Sequence, residues 1–383
     1  MTATAPKRKV SSHVPLSRQG ALLIALTILT VAVGLVMVGS ASAVDSYKST
    51  NNAAATLMDQ ATFAGLGLIG MLFASRLPVS VYRRFAMIYL YFWLGVQLVT
   101  VLFGVEINGN RNWLNIGFAQ IQPSEFLKLA LILALAHLLS QLGSSVEQDR
   151  GIWVMVFIYS GVSLLLVVLL GKDMGTGVVM AMFLMGMYLF AGMGFGRWLM
   201  MSSMGLVAAA ALIWTSPSRR SRFEAWLFPD SADPMGVRWQ YEHGTWALAS
   251  GGIFGTGLGR SKLKWSWIPE VENDFIFAVI GEELGLVGAM FVVLLFFALG
   301  VTLFSIAKNQ TNAFSRNIVI GVMVWISLQA FVNIGVVLGL FPVLGVPLPL
   351  VSAGGSSLIS TMTAIGVVLA VERNRVAHLG RSR

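Results

Sequence analysis

The chain has 383 residues, 56% hydrophobic and only 11% charged, where a soluble domain carries about 25% charged residues. Apolar runs of about 20 residues recur along its whole length, which defines an all-α polytopic membrane protein and excludes a separate soluble domain. Cysteine is absent and the 4 histidines are scattered, so disulfides, thiolate metal sites and a zinc centre are excluded, while the net charge of +9 matters through which side of the membrane holds it.

A basic tail, residues 1–19 with Lys7, Arg8 and Lys9, precedes the first span at 20–44. Ala41-Ser42-Ala43 has the small-residue pattern of a signal-peptidase site. The uncharged run before it exceeds the roughly 7–15 residues of a signal core, so it is expected to stay as an anchor. Further spans are predicted at 60–76, 85–105, 123–143, 152–170, 174–193, 197–215, 274–306, 316–341 and 350–371, with a second basic tail at 372–383 ending in Arg383. About ten transmembrane helices place both termini on one side. That side holds most of the 26 basic residues, so it is expected to be cytoplasmic, and the large loop 216–273 between the seventh and eighth spans to be extracytoplasmic. The expected organisation is a single ten-helix membrane domain over 20–371. No internal repeat is visible, which argues against a secondary transporter.

The polar features gather at the expected outer side. Asn108-Gly109-Asn110-Arg111-Asn112-Trp113 is polar turn chemistry running into an interfacial Arg and Trp. Gln122-Pro123-Ser124-Glu125 opens the fourth span, with Pro123 where a helix start loses no hydrogen bond. Glu125 and Lys128 share a helix face there, either as a structural ion pair or as a polar wall of a site. Gly171-Lys172-Asp173 is a charged turn, a solvated cap or part of the same site. The 216–273 loop interleaves Arg219, Arg220, Arg222, Arg238, Arg260, Lys262 and Lys264 with Trp226, Trp239, Tyr241, Trp246, Trp265 and Trp267, which suits an anionic lipid headgroup or saccharide and not a nucleic acid. Its glycine run 250–259 superficially resembles a dinucleotide fingerprint, but no βαβ context exists, and a nucleotide site is rejected.

The most informative stretch is 268–285, IPEVENDFIFAVIGEELG. Glu270, Glu272 and Asp274 lead into an apolar span that also contains Glu282 and Glu283. Asp274 stands where water meets a low-dielectric wall, a suitable place for a chemical base. On an extended segment the first three acids would share a face and offer ligands to a divalent cation, Mg or Mn. Phased along a continuous helix, Glu282 and Glu283 point elsewhere and read as interhelical glue or a second polar shell. The last outer loop, 341–357, is uncharged and rich in Pro and Gly, and is expected to form a re-entrant wall.

Gln122-Pro123-Ser124-Glu125 with Lys128, the glycine loop 251–259, Pro269-Glu270 before Asp274-Phe275-Ile276-Phe277, Gly281-Glu282-Glu283, and Pro347-Leu348-Pro349 with Gly354-Gly355-Ser356-Ser357 together resemble the SEDS family (shape, elongation, division, sporulation). The resemblance runs from the first span to the last, and the division member is the nearer pattern. It implies a ten-helix inverting glycosyltransferase that polymerises lipid II, the undecaprenyl-pyrophosphate-linked disaccharide peptide, into peptidoglycan at the outer face of the bacterial cytoplasmic membrane. It implies a class B penicillin-binding transpeptidase and other divisome membrane proteins as partners, at the division septum. The essential aspartate of the family falls on Asp274, and the residues assigned to substrate are Glu125, Lys128, Arg111, Trp113, Lys172, Asp173, Arg238, Gln240, Lys262 and Ser356. The alternatives are a flippase of the lipid-linked precursor, which Glu282 and Glu283 would serve, and the elongation-type polymerase.

Overall fold

The protein's structure, a computed structural model, describes residues 17–107, 109–117, 120–142, 149–228, 236–265, 268 and 270–381. Lys7, Arg8, Lys9, Asn108, Trp267, Pro269 and Arg383 lie outside these. Ten helices coincide with the expected spans: α1 (Arg18–Thr50), α2 (Ala55–Arg76), α3 (Val79–Phe103), α4 (Pro123–Leu139), α5 (Arg150–Leu164), α6 (Met174–Phe190), α7 (Phe195–Trp214), α10 (Ile276–Lys308), α11 (Ala313–Val337) and α12 (Gly355–Arg381). A π-helical stretch, Leu165–Leu170, continues α5. Among the described residues 8 of the spans are long and apolar enough to cross a membrane by themselves; α4 and α6 have 17 residues each.

The two extra helices lie in the 216–273 loop, which the sequence offered as a loop only. They are α8 (Pro217–Leu227), started by Pro217 in its first turn, and α9 (Val237–Ser250). The polar segment after α3 folds back as an antiparallel sheet of β1 (Val105–Ile107), β2 (Asn110–Asn115) and β3 (Gln120–Ile121). Gly109, at φ 80°, supplies the left-handed turn residue between the first two strands.

Burial sets the order of the helices. Every residue of α4 except Phe126 and His137 is buried, enclosed by α3, α5, α11 and α12, whereas α7 buries none of its residues. At one end of the bundle the termini and short turns meet: Arg373 donates to the Arg76 carbonyl at 2.7 Å and Asn309 to Gln19 at 3.3 Å. The other end carries the sheet, α8, α9 and the segment 338–354. That segment is non-helical, exposed at Leu338 and Leu340 and packed inside protein further on, with Val346, Leu348, Leu350 and Val351 buried and α1 against it at Gly34. Its buried backbone is what protein at membrane depth tolerates.

One expectation about α10 is overturned. The helix starts at Ile276 and is broken at Gly285 (φ 68°, ψ −167°), so Asp274 sits in the turn before it and cannot be phased against Glu282 along one regular helix. At the break the glycine loop docks: Gly252 and Ile253 carbonyls accept from Leu286 and Val287 at 2.9 and 3.2 Å. A side chain at Gly255 or Gly285 would collide with backbone across this junction, the physical reason for glycine there.

Candidate active site

A cavity of about 960 Å³ opens at the loop end of the bundle. Its floor comes from β2, the first turn of α4 and the turn into α6, and its walls from α8, the turn 270–274 and the segment 342–357. Each part is fastened to the next. The Arg111 amide donates to the Gly171 carbonyl at 3.0 Å, fixing the sheet to the turn before α6. The Gln122 amide donates to Ser356 Oγ at 3.0 Å, joining α4 to α12. Ser352 Oγ donates to the Asn273 carbonyl at 2.5 Å, and the Ala353 amide to that of Glu272 at 3.0 Å, clipping the re-entrant segment onto the acidic turn.

Asp274 borders this cavity and is half-buried. No hydrogen-bond donor among the described residues reaches its carboxylate. Burial, and then the charge of Glu270, push its pKa up to about 7; Arg222 pulls the other way, and Asp173 adds a further upward push. Arg222 of α8 and Asp274 both approach the side-chain face of Gly345: a Cβ at that glycine would lie 3.9 Å from Arg222 Nη1 and 3.5 Å from Asp274 Oδ2. An acid titrating near neutrality thus stands near a guanidinium, in the space that a glycine leaves open.

The cations over the cavity are held by α8. Arg219 donates to the Lys172 carbonyl at 3.1 Å, and Trp226, on the same helix, donates to the Gly339 carbonyl at 2.9 Å. The helix therefore bridges from the turn before α6 to the end of α11 and carries Arg219 and Arg222 across the mouth. Sequence reading placed both arginines in a basic loop without assigning them to the site. The signal that could have done so is the Ser216-Pro217 helix start, which puts Arg219, Arg222 and Trp226 three and four residues apart on one helix.

The other assigned residues divide. Trp113, Glu125, Lys172, Asp173 and Ser356 line the cavity. Asp173 also caps α6, accepting from the Thr176 amide at 2.9 Å and hydroxyl at 2.8 Å, and receives Gln122 Nε2 at 3.1 Å. Lys128 is 1% exposed and lies behind the cavity instead of in it: its ammonium meets Glu125 at 2.8 Å, Gln329 at 3.0 Å and the Trp325 ring 4.6 Å away. Losing one partner of such a buried pair costs about 3–5 kcal/mol. Arg111 is not among the cavity-lining residues and pairs with Glu106 at 3.3 Å; its neighbours Asn110 and Asn112 line the cavity instead. Arg238 pairs with Glu242 at 2.8 Å along α9, and neither it nor Gln240 lines the cavity. Lys262 also lies off the cavity, giving its backbone amide to Glu282.

The extended-face arrangement that would have gathered Glu270, Glu272 and Asp274 does not form. Residues 270–275 make a turn, with Glu270 at φ 51° and Asn273 donating to its carboxylate at 3.1 Å. Burial raises the Glu272 carboxyl, and its largest like-charge neighbour is Asp45, ahead of Glu270. Among the described residues no three acids or histidines come together as a metal-holding group, so Glu270, Glu272 and Asp274 do not make a three-carboxylate site.

A helical bundle with a re-entrant backbone segment, a cavity at one end lined by arginines and carboxylates, and an acid titrating near neutrality in its wall together define a polytopic membrane protein with a polar site at one end of its bundle. The chain belongs to the cell cycle protein family of FtsW, RodA and SpoVE, whose family model matches residues 20–377. It is 36% identical over 359 residues to stage V sporulation protein E of Bacillus subtilis, covering 92% of this chain and 96% of that one. It is 38% identical over 356 residues to the probable peptidoglycan glycosyltransferase FtsW of Mycobacterium tuberculosis, covering 92% of this chain and 67% of the relative. Among solved structures it matches a chain of a peptidoglycan synthase complex that coordinates polymerization and crosslinking, with a TM-score of 0.75, 28% identity and 92% and 97% of the two chains covered. It also matches the crystal structure of the rod shape determining protein RodA of Thermus thermophilus, with a TM-score of 0.68, 28% identity and coverage of 92% and 96%.

Proposed function

We propose that this chain is a peptidoglycan glycosyltransferase that polymerises lipid II at the outer face of the cytoplasmic membrane, for septal wall synthesis. The relatives named as peptidoglycan glycosyltransferases support the class. Arg76, Arg83, Arg84, Lys308, Arg316, Arg373 and Arg375 gather at the end bearing the termini, which supports that end as cytoplasmic and the cavity as outward-facing.

The observation that carries the chemistry is Asp274, unbonded at its carboxylate, raised to about 7 and flanked by Arg222. The C4 hydroxyl of one saccharide attacks the anomeric carbon of the next. Asp274 takes the hydroxyl proton as the new C–O bond forms, and the old bond breaks with its electron pair leaving on the lipid diphosphate. Arg219, Arg222 and Lys172 are the cations for that charge, and the uncharged polar groups Asn112, Gln122 and Ser356 of the lining suit sugar hydroxyls and amides. The displacement is single and inverts the anomeric centre. A class B penicillin-binding transpeptidase and other divisome membrane proteins are the partners; the match to a synthase complex that couples polymerization to crosslinking supports such an assembly.

The test is purified protein with lipid II, with and without a class B transpeptidase, comparing wild type with Asp274→Asn. Polymer should vanish in the variant while lipid II binding and the thermal unfolding midpoint persist. Polymer made equally well by Asp274→Asn would sink the reading, and impaired transbilayer movement alongside it would point to the flippase.

A further inference from the structure

We propose that Asn333 and Gln329, four residues apart on α11, form a positioning pair that sets Asp274 relative to Arg222 by strapping the acidic turn to the backbone that both groups approach. This rests on the reading of Asp274 as the base.

Both amides are buried, each 1% exposed, and face the same way on the helix. Asn333 Nδ2 donates to two carbonyls, that of Asp274 at 2.9 Å and that of Val346 at 2.7 Å. One amide thus holds the acidic turn and the re-entrant segment together, at the residue after Gly345. One turn earlier, Gln329 Nε2 donates to the Pro347 carbonyl at 2.9 Å, while its Oε1 accepts from Lys128 at 3.0 Å and Trp325 at 2.8 Å. The buried ammonium of Lys128, which does not reach the cavity, orients the amide that anchors Pro347. Val346 and Pro347 are therefore fixed by consecutive straps, and Gly345, the residue just before them, is the one whose side-chain face Asp274 and Arg222 both approach. The bundle interior reaches the acid through backbone, which explains charged and amide groups kept at membrane depth with no exposure to substrate. The charged groups facing Asp274 are Arg222 from α8, Asp173 from the turn before α6 and Glu270 from its own turn.

The test compares Asn333→Leu, Gln329→Glu and Asp274→Asn in steady-state polymerisation across pH, with thermal unfolding recorded for each. Leucine is close in size to asparagine and donates nothing; glutamate keeps the acceptor for Lys128 and loses the donor to Pro347. For Asn333→Leu we expect kcat per folded molecule to fall about tenfold or more, KM for lipid II to stay within about threefold, and the pH midpoint of kcat to move by at least about half a unit. Gln329→Glu should lower kcat in the same sense by about threefold or more. A lowered unfolding temperature with unchanged kcat per folded molecule and unchanged pH midpoint in Asn333→Leu would overturn the proposal, and an unchanged kcat in Gln329→Glu would remove Gln329 from the pair. Full activity in Asp274→Asn would instead overturn the reading beneath it.

Discussion

Asp274 and the pair Glu282–Glu283 lie within ten residues of one another, and the fold treats them in opposite ways. The two glutamates are 2% and 1% exposed, and their carboxylates are saturated. Glu282 accepts from Ser261 Oγ at 2.5 Å and the Lys262 amide at 3.0 Å; Glu283 accepts from Ser40 at 2.7 and 2.8 Å and the Ser261 amide at 3.1 Å. Donors from one loop and from α1 close around them, and the break at Gly285 admits that loop. Asp274 is less buried yet receives no donor at its carboxylate among the described residues, only a nearby cation, Arg222. A buried acid surrounded by donors serves the architecture, whereas one left without them keeps its proton affinity for something else. The donor count around each acid separates structure from chemistry here; depth in the membrane does not.

The largest effect should come from Asp274→Asn, which removes the base without changing its shape. Polymerisation should fall on the order of a thousandfold, read as glycan chains formed from lipid II. Stability should move the other way. Asp274 titrates near 7, above the ordinary carboxylate value, so its contribution to folding is full below the ordinary carboxylate range and lost as pH rises through about 7. At pH 8 the neutral asparagine should therefore unfold at the wild-type temperature or above. A variant that loses activity only because it unfolds would erase the contrast with the glutamates.

Arg222→Gln should cost on the order of ten- to a hundredfold in kcat/KM, with Arg219 and Lys172 still in place. It also sharpens the assignment of Asp274. Arg222 favours the ionised form, so removing it raises the pKa, and the midpoint of the pH–rate profile should move upward. A downward or absent shift would separate the two residues.

Glu283→Ala attacks the other side. It leaves the Ser40 hydroxyl and the Ser261 amide without their acceptor, and each orphaned buried group costs about 1–3 kcal/mol. The unfolding midpoint should fall while the rate per folded molecule stays near wild type. A selective loss of turnover at unchanged stability would place Glu283 with Asp274. The gentlest measurement is the wild-type profile itself: the base works deprotonated, so the rate should climb with pH and level off above about 7. A plateau extending down to pH 5 would deny Asp274 its shifted titration.

How much was legible can be told residue by residue. The spans were readable because about 20 apolar residues must cross the hydrocarbon core, whatever they pack against. Which span is central was not. The apolar sequences of α4 and α7 look alike, since lipid and protein interior are equally apolar, yet α4 is enclosed and α7 is bare. Asp274 could be singled out because an acid at the start of a span is conspicuous. Lys128 was equally conspicuous, as an ion pair with Glu125 or as a polar wall of the site; it forms the buried ion pair, while of the two only Glu125 also lines the cavity.

The sequence alone therefore determined the membrane class, the approximate positions of the spans and the family, because each depends on composition and local order. Tertiary structure alone decided that α8 brings Arg219 and Arg222 to the cavity, that Arg222 and Asp274 meet over Gly345, and that loop and serine donors close upon Glu282 and Glu283. Those outcomes join residues from 20 to 243 positions apart in the chain, and no periodicity carries information over such separations.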